Sequence, residues 1–140
     1  MPAAVRACRH ACPSRRLVAE PRRAGDAAEA SACAFLQARG LRLLARNLNY
    51  RVGEIDLLML DAGTLAFVEV RLRKPSAFGD GAESVGTGKQ RKLALAAQAW
   101  LAANPKQANT PCRFDVVAVT PGPAGLQCEW IADAFTLDDL

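Results

Sequence analysis

Two acids and an arginine near the middle of the sequence have the types and spacing to gather a cation. They are Asp56, Glu69 and Arg71, all within GEIDLLMLDAGTLAFVEVRLR, residues 53–73. The stretch holds two apolar runs around Asp61-Ala62-Gly63-Thr64, a turn-forming composition. In the first run Ile55, Leu57 and Met59 alternate with Glu54, Asp56, Leu58 and Leu60. In the second, Ala66, Val68, Val70 and Leu72 alternate with Leu65, Phe67, Glu69 and Arg71. Alternation on both sides of a Gly-containing turn predicts a β-hairpin. A two-residue loop at Ala62-Gly63 sets Asp56 opposite Glu69. Opposed Cβ atoms in such a pair lie roughly 4.5–5.5 Å apart, where like charges repel. Two carboxylates so placed need a cation between them or a raised pKa. Arg71 shares the face of Glu69. The same residues also suit a wet sheet face, on which a Glu69–Arg71 pair is worth little, and spacing leaves both readings open.

The flanking elements add further candidates. Asp26-Ala27-Ala28-Glu29 matches a capping box and Gly40 a stop, which predicts a helix over 27–39 with Ala28, Ala32, Phe35 and Leu36 as its apolar stripe. Glu29 lies at the edge of that stripe, and either closes the cap or directs its carboxylate towards the core side. Leu41 to Tyr50 reads as a first strand, with Arg51 just before the acids. Lys74 to Gly88 (KPSAFGDGAESVGTG) is a long loop of the kind that often carries function, with Phe78 either packed beneath it or stacked on a base. Lys89 to Asn104 is predicted helical, its buried stripe being Leu93, Ala97, Trp100 and Leu101. Lys89, Arg91 and Lys92 fall in its first turns, where cations oppose the helix dipole by roughly 0.3–1 kcal/mol each. A lysine-bearing helix N-terminus suits a phosphate, and a solvated charge cluster is the plainer use. Gln90 has amide chemistry that can orient a water. Arg113 to Val119 and Leu126 to Ile131 read as two more strands around a Pro/Gly turn at 121–125, with Asp115 either structural or facing the same site. Ala132 to Leu140 is acidic and reads as loosely packed. Helix, three strands, loop, helix and two strands make an α/β fold with a mixed sheet.

Bulk properties narrow the classes. The 140 residues fit one domain with a modest core. No apolar run reaches the ~18 residues of a membrane span. Five cysteines, without a CxxC pair, suggest reduced thiols in a cytoplasmic protein and neither a zinc site nor a disulfide framework. The one histidine, His10, lies in the tail, which excludes histidine catalysis from the folded part. Residues 1–24 carry six arginines against Glu20 and read as a disordered basic tail, with a transit peptide as the alternative. Residues 25–140, the expected domain, carry twelve Lys/Arg against thirteen Asp/Glu. Any affinity of that domain for nucleic acid must therefore come from a local patch.

Several motifs in one order resemble a known family. GDxAE at 25–29, ARN at 45–47, GEIDLL at 53–58, FVEVRxR at 67–73, FGxxxxSV at 78–85, KQRKL at 89–93 and RFDVV at 113–117 look like the YraN family of small bacterial proteins. That family is similar to the Holliday-junction-resolvase branch of the PD-(D/E)xK nucleases. The resemblance covers about 25–140 and implies a restriction-endonuclease-like fold, a mixed five-stranded sheet flanked by helices. It implies Glu29, Asp56 and Glu69 as acids binding Mg²⁺ (or Mn²⁺), with Arg71 at the position of a lysine. Asp56, Glu69 and the Val70 carbonyl would hold the metal, with Glu29 bound through water. Lys74, Lys89, Gln90, Arg91 and Lys92 would meet nucleic acid, most simply DNA. The implied activity is hydrolysis of phosphodiester bonds in branched or structured DNA, with a homodimer expected by analogy. Arginine cannot act as a base, so Lys74 or Lys89 is left to supply an ammonium. A nuclease-like module that binds nucleic acid without cutting is the alternative, and a purely structural partner protein the third.

Overall fold

The structure, a computed structural model, describes residues 23–73 and 87–136. Expectations for the tail at 1–22, for the loop at 74–86 with Lys74 and Phe78, and for 137–140 lie outside the described residues. Helix α1 spans Arg23–Ala38. It is already under way at Arg23, four residues before the expected start. Asp26 therefore sits inside its first turn, where an acid suits the helix dipole, and the stretch expected to form the capping box lies within the helix. The C-terminus matches expectation. Gly40 adopts φ 97°, Leu41 N–H donates to the Leu36 carbonyl and Gly40 N–H to that of Gln37, the double bond of a Schellman stop that favours glycine.

Three strands follow: β1 Arg42–Tyr50, β2 Gly53–Asp61 and β3 Thr64–Leu72. Helix α2, Thr87–Ala103, carries the chain across to β4, Cys112–Gly122, and β5, Gly125–Phe135, returns beside it. The sheet order is β1-β2-β3-β4-β5, antiparallel throughout except for the parallel β3–β4 pair. That parallel pair is what a helical crossover makes possible. Among the described residues the result is α/β, with a five-stranded mixed sheet and two α-helices, consistent with the restriction-endonuclease-like expectation.

Each helix covers one face of the sheet. Ala28, Ala32, Cys33 and Leu36 of α1 pack on Leu57, Met59, Ala66, Val68, Val117 and Val119. Leu93, Ala94, Ala96 and Ala97 of α2 pack on Ile55, Leu58, Leu65, Phe67 and Phe114. The predicted alternation holds along β3 but not along β2. Ile55 joins the core under α2, while Leu57 and Met59 join that under α1. The slip falls at Asp56 and has a physical cause. The β2–β3 ladder follows the expected register from Asp61↔Thr64 to Leu57↔Val68 and stops there. Beyond it, Val70 N–H donates at 2.9 Å to Oδ2 of Asp56, so a side chain replaces the next backbone rung.

The last two strands are longer than their sequence suggested. β5 extends to Phe135, whose ring stacks on Phe114 at 4.9 Å with planes 6° apart. The expectation of loose packing from Ala132 onward is therefore corrected as far as Phe135, because this aromatic contact ties the strand end to the core. Asp115 is fully buried and structural. Its carboxylate accepts from Arg113 Nε, Trp130 Nε1 and Asp133 N–H, while Arg113 Nη2 reaches Asp61 at the far end of β2.

Candidate active site

Where β2 and β3 part, the chain leaves a cleft of about 490 Å³ between the starts of α1 and α2. Strands that diverge expose backbone edges and side chains that a continuous ladder would cover, and here those side chains are acidic. Asp56 and Glu69 line the cleft from β2 and β3, Glu29 from α1, and Glu54 from the start of β2. Glu29 and Glu69 are buried, at 4% and 7% exposure, although neither belongs to an apolar cluster. Lys89 and Lys92 complete the lining from α2, and Arg51 from the β1–β2 turn.

Acids gathered this closely change one another's chemistry. Burial pushes the Asp56 carboxyl up to about 7, the Glu69 charge adds to the rise, and Glu29 and Glu54 add less. The Val70 amide works the other way by bonding the ionised form. A carboxyl raised by burial and like charges, lining a cleft, makes the cleft a candidate functional site. Tyr50, at the rim, is also raised, by burial alone.

Position on α2 decides which of its polar residues reach the cleft. Lys89 Nζ meets Glu69 Oε2 at 2.7 Å. Lys92 is one helical turn further on and shares that face. Gln90 is half-buried and Arg91 exposed, and both lie outside the described lining. Arg71 is half-buried near the end of β3 and is likewise not part of that lining. Of the implied site, then, Glu29, Asp56, Glu69, Val70, Lys89 and Lys92 line one cleft, and Arg71, Gln90 and Arg91 are not among its described lining.

Two contributors escaped the sequence reading. Glu54 shares the expected strand face of Asp56, and its charge beside a second acid in GEID is the signal in the sequence. Gly53 has a steric part: a Cβ there would collide with the Lys92 carbonyl. Glycine at that point lets β2 lie directly against the backbone of α2, which brings Lys89 and Lys92 over the acids. The hydrophobic pattern carries no trace of such a contact.

No group of three or more His, Cys, Asp or Glu side chains is arranged to hold a metal among the described residues. Two carboxylates in a cleft with room for water do suit magnesium, which keeps most of its hydration shell and takes one or two carboxylates. Mutual repulsion around Asp56 is the load that such a cation would relieve.

Comparison with known proteins agrees with the resemblance. The profile of a family described as Uncharacterised protein family UPF0102 matches residues 28–119. The chain is 56% identical over 115 residues to a UPF0102 protein of Xanthomonas campestris pv. campestris, an alignment covering 82% of this chain and 93% of that protein. It is 49% identical over 118 residues to one of Pseudomonas putida (84% and 96%). For one of Saccharophagus degradans the figure is 52% over 115 residues (82% and 94%).

Proposed function

The chain belongs to family UPF0102, the YraN family, and from the chemistry of its cleft we propose that it is a metal-dependent endonuclease that hydrolyses phosphodiester bonds in DNA. The observation that carries this reading is the convergence of Asp56 and Glu69, with the charges of Glu29 and Glu54 behind them, on a cleft whose other wall bears Lys89 and Lys92. Acids facing lysines across one cleft suit a ligand that brings a cation on one side and an anion on the other. A phosphodiester with a magnesium ion is such a ligand.

Asp56 and Glu69 would hold Mg²⁺ or Mn²⁺, together with the carbonyl of Val70. When bound, that ion supplies charge neutralisation at the phosphate and acidifies a water. Glu29 stands behind Asp56 and is suited to orient water. Lys89, Lys92 and Arg51 supply donors for backbone phosphates, which fix the position of the strand without reading its sequence. Arg71, at the position where a lysine is implied, keeps its charge and does not serve as a base. Branched or structured DNA is the proposed substrate, and a homodimer would supply the second site that cutting two strands needs. Free thiols at Cys33, Cys112 and Cys128 suit the cytoplasm; no described helix is long and apolar enough to cross a membrane.

Purified protein should nick or cleave branched or single-stranded DNA with Mg²⁺ or Mn²⁺ and stop on chelation. Asp56→Ala should lose at least a hundredfold in rate. Undiminished cleavage by that variant would assign the activity to a contaminant. One observation favours a second reading, a module that binds nucleic acid without cutting: the arginine at 71, where a lysine is implied. Salt-dependent DNA binding without cleavage in either metal would select it.

A further inference from the structure

The Lys89–Glu69 contact sets a condition on anything that binds in the cleft. The pair is short, at 2.7 Å, and unequal: the Glu69 side chain is 9% exposed and that of Lys89 60%. Glu69 is thus held by its strand, whereas Lys89 reaches in from water on a flexible stem. A carboxylate so nearly buried costs a great deal if left without a partner. A divalent ion taking Oε2 of Glu69, the oxygen that Lys89 holds, displaces the ammonium and replaces one counter-ion with another. The carboxylate is compensated before and after.

We propose that Lys89 is a displaceable counter-ion, holding Glu69 until a divalent cation takes that carboxylate and then gripping a phosphate of the substrate strand. The inference rests on the metal-dependent reading above and adds the order of events within the same cleft. The released ammonium has a suitable destination. It lies on the same helix face as Lys92, one turn away, and at the N-terminal end of α2, where backbone N–H groups also favour an anion. Reciprocity follows: a phosphate that draws Lys89 away makes Glu69 a better ligand, so nucleic acid and metal tighten each other's binding. Lys92 lines the same cleft, and only Lys89 is in ion-pair contact with Glu69 among the described residues. The two lysines therefore separate direct competition from a general field effect.

The test is calorimetric titration of the full chain with MnCl₂, comparing the native protein with Lys89→Gln and Lys92→Gln. Circular dichroism establishes that the folds are equal. Lys89→Gln should bind Mn²⁺ roughly three- to tenfold more tightly, as expected for removal of a competing ion pair, and Lys92→Gln distinctly less so. A single-stranded oligonucleotide with Ca²⁺ in place of Mn²⁺ should tighten metal binding in the native protein but not in Lys89→Gln. Unchanged or weaker Mn²⁺ binding by Lys89→Gln overturns the proposal, as does an equal shift in Lys92→Gln, and the nuclease reading stands in both cases. Failure of the native chain to take up Mn²⁺ at all overturns the nuclease reading itself, and this proposal with it.

Discussion

Asp56 combines three demands in one side chain. It takes the place of a backbone rung by accepting from Val70 N–H, it lines the cleft, and its carboxyl is pushed up to about 7 by burial and by Glu69. The sign of the pH dependence follows. A carboxyl raised in the folded state binds its proton more tightly there than in the unfolded chain. Its contribution to stability is therefore fully present below pH ~4 and is lost as pH rises towards 7. Asp56→Asn keeps an acceptor for Val70 and removes the ionisation. The variant should melt higher than the native protein at pH 8, by up to a few kcal/mol of stability, and the gap should close at pH 4.5. Thermal unfolding at the two pH values measures this. Native stability that rises between pH 4.5 and 8 relative to the variant would contradict the electrostatics assigned to Asp56.

At the scale of elements, two contacts determine where the cleft lies and how firmly its walls are joined. The first is β2 against α2. A methyl group on Gly53 would collide with the Lys92 carbonyl, and a helix backbone cannot move aside as a flexible side chain can. Gly53→Ala should cost on the order of 1–3 kcal/mol in urea unfolding. It should also weaken oligonucleotide binding by shifting Lys89 and Lys92 off the acids, although residue 53 has no side chain to contact the ligand. The second contact is the Asp115 node, which joins Arg113 and Asp61 to Trp130 and the backbone of Asp133. Asp115→Ala leaves the Arg113 charge and two further donors short of their acceptor, and about 3–5 kcal/mol of stability should go with it. Since Asp61 and Asp56 lie towards opposite ends of β2, whatever protein remains folded should keep its metal affinity.

For the molecule as a whole the question is how a domain with no excess of positive charge would hold a polyanion. Residues 25–140 carry a slight excess of acids, and the cleft sets Glu29, Glu54, Asp56 and Glu69 against Arg51, Lys89 and Lys92. Without a divalent ion the cleft should repel DNA or bind it weakly, and with one the balance reverses. Oligonucleotide affinity measured by fluorescence anisotropy should therefore rise at least tenfold when Ca²⁺ replaces EDTA at constant ionic strength. Magnesium should also raise the melting temperature in a concentration-dependent way, because a ligand of the folded state alone stabilises it by mass action. Asp56→Asn should abolish that rise.

Among the described residues, five strands, two α-helices, the Ala62–Gly63 turn and the hairpin register from Asp61 to Leu57 were all legible in the amino-acid order. These features depend on contacts close along the chain or on a periodicity that each element carries in its own side chains. Alternation around a turn with φ 51° and 92° at its two central residues leaves few other pairings open. Tertiary structure decided where that alternation fails, at Asp56, because a carboxylate fourteen residues away in sequence takes the Val70 amide. It also decided that Glu29 looks into the cleft and not at a helix cap, that Asp115 is a buried staple, and that Lys89 rather than Arg71 lines the cleft with the acids. Each of these outcomes depends on how two elements approach across a core, and no spacing within either element encodes that distance.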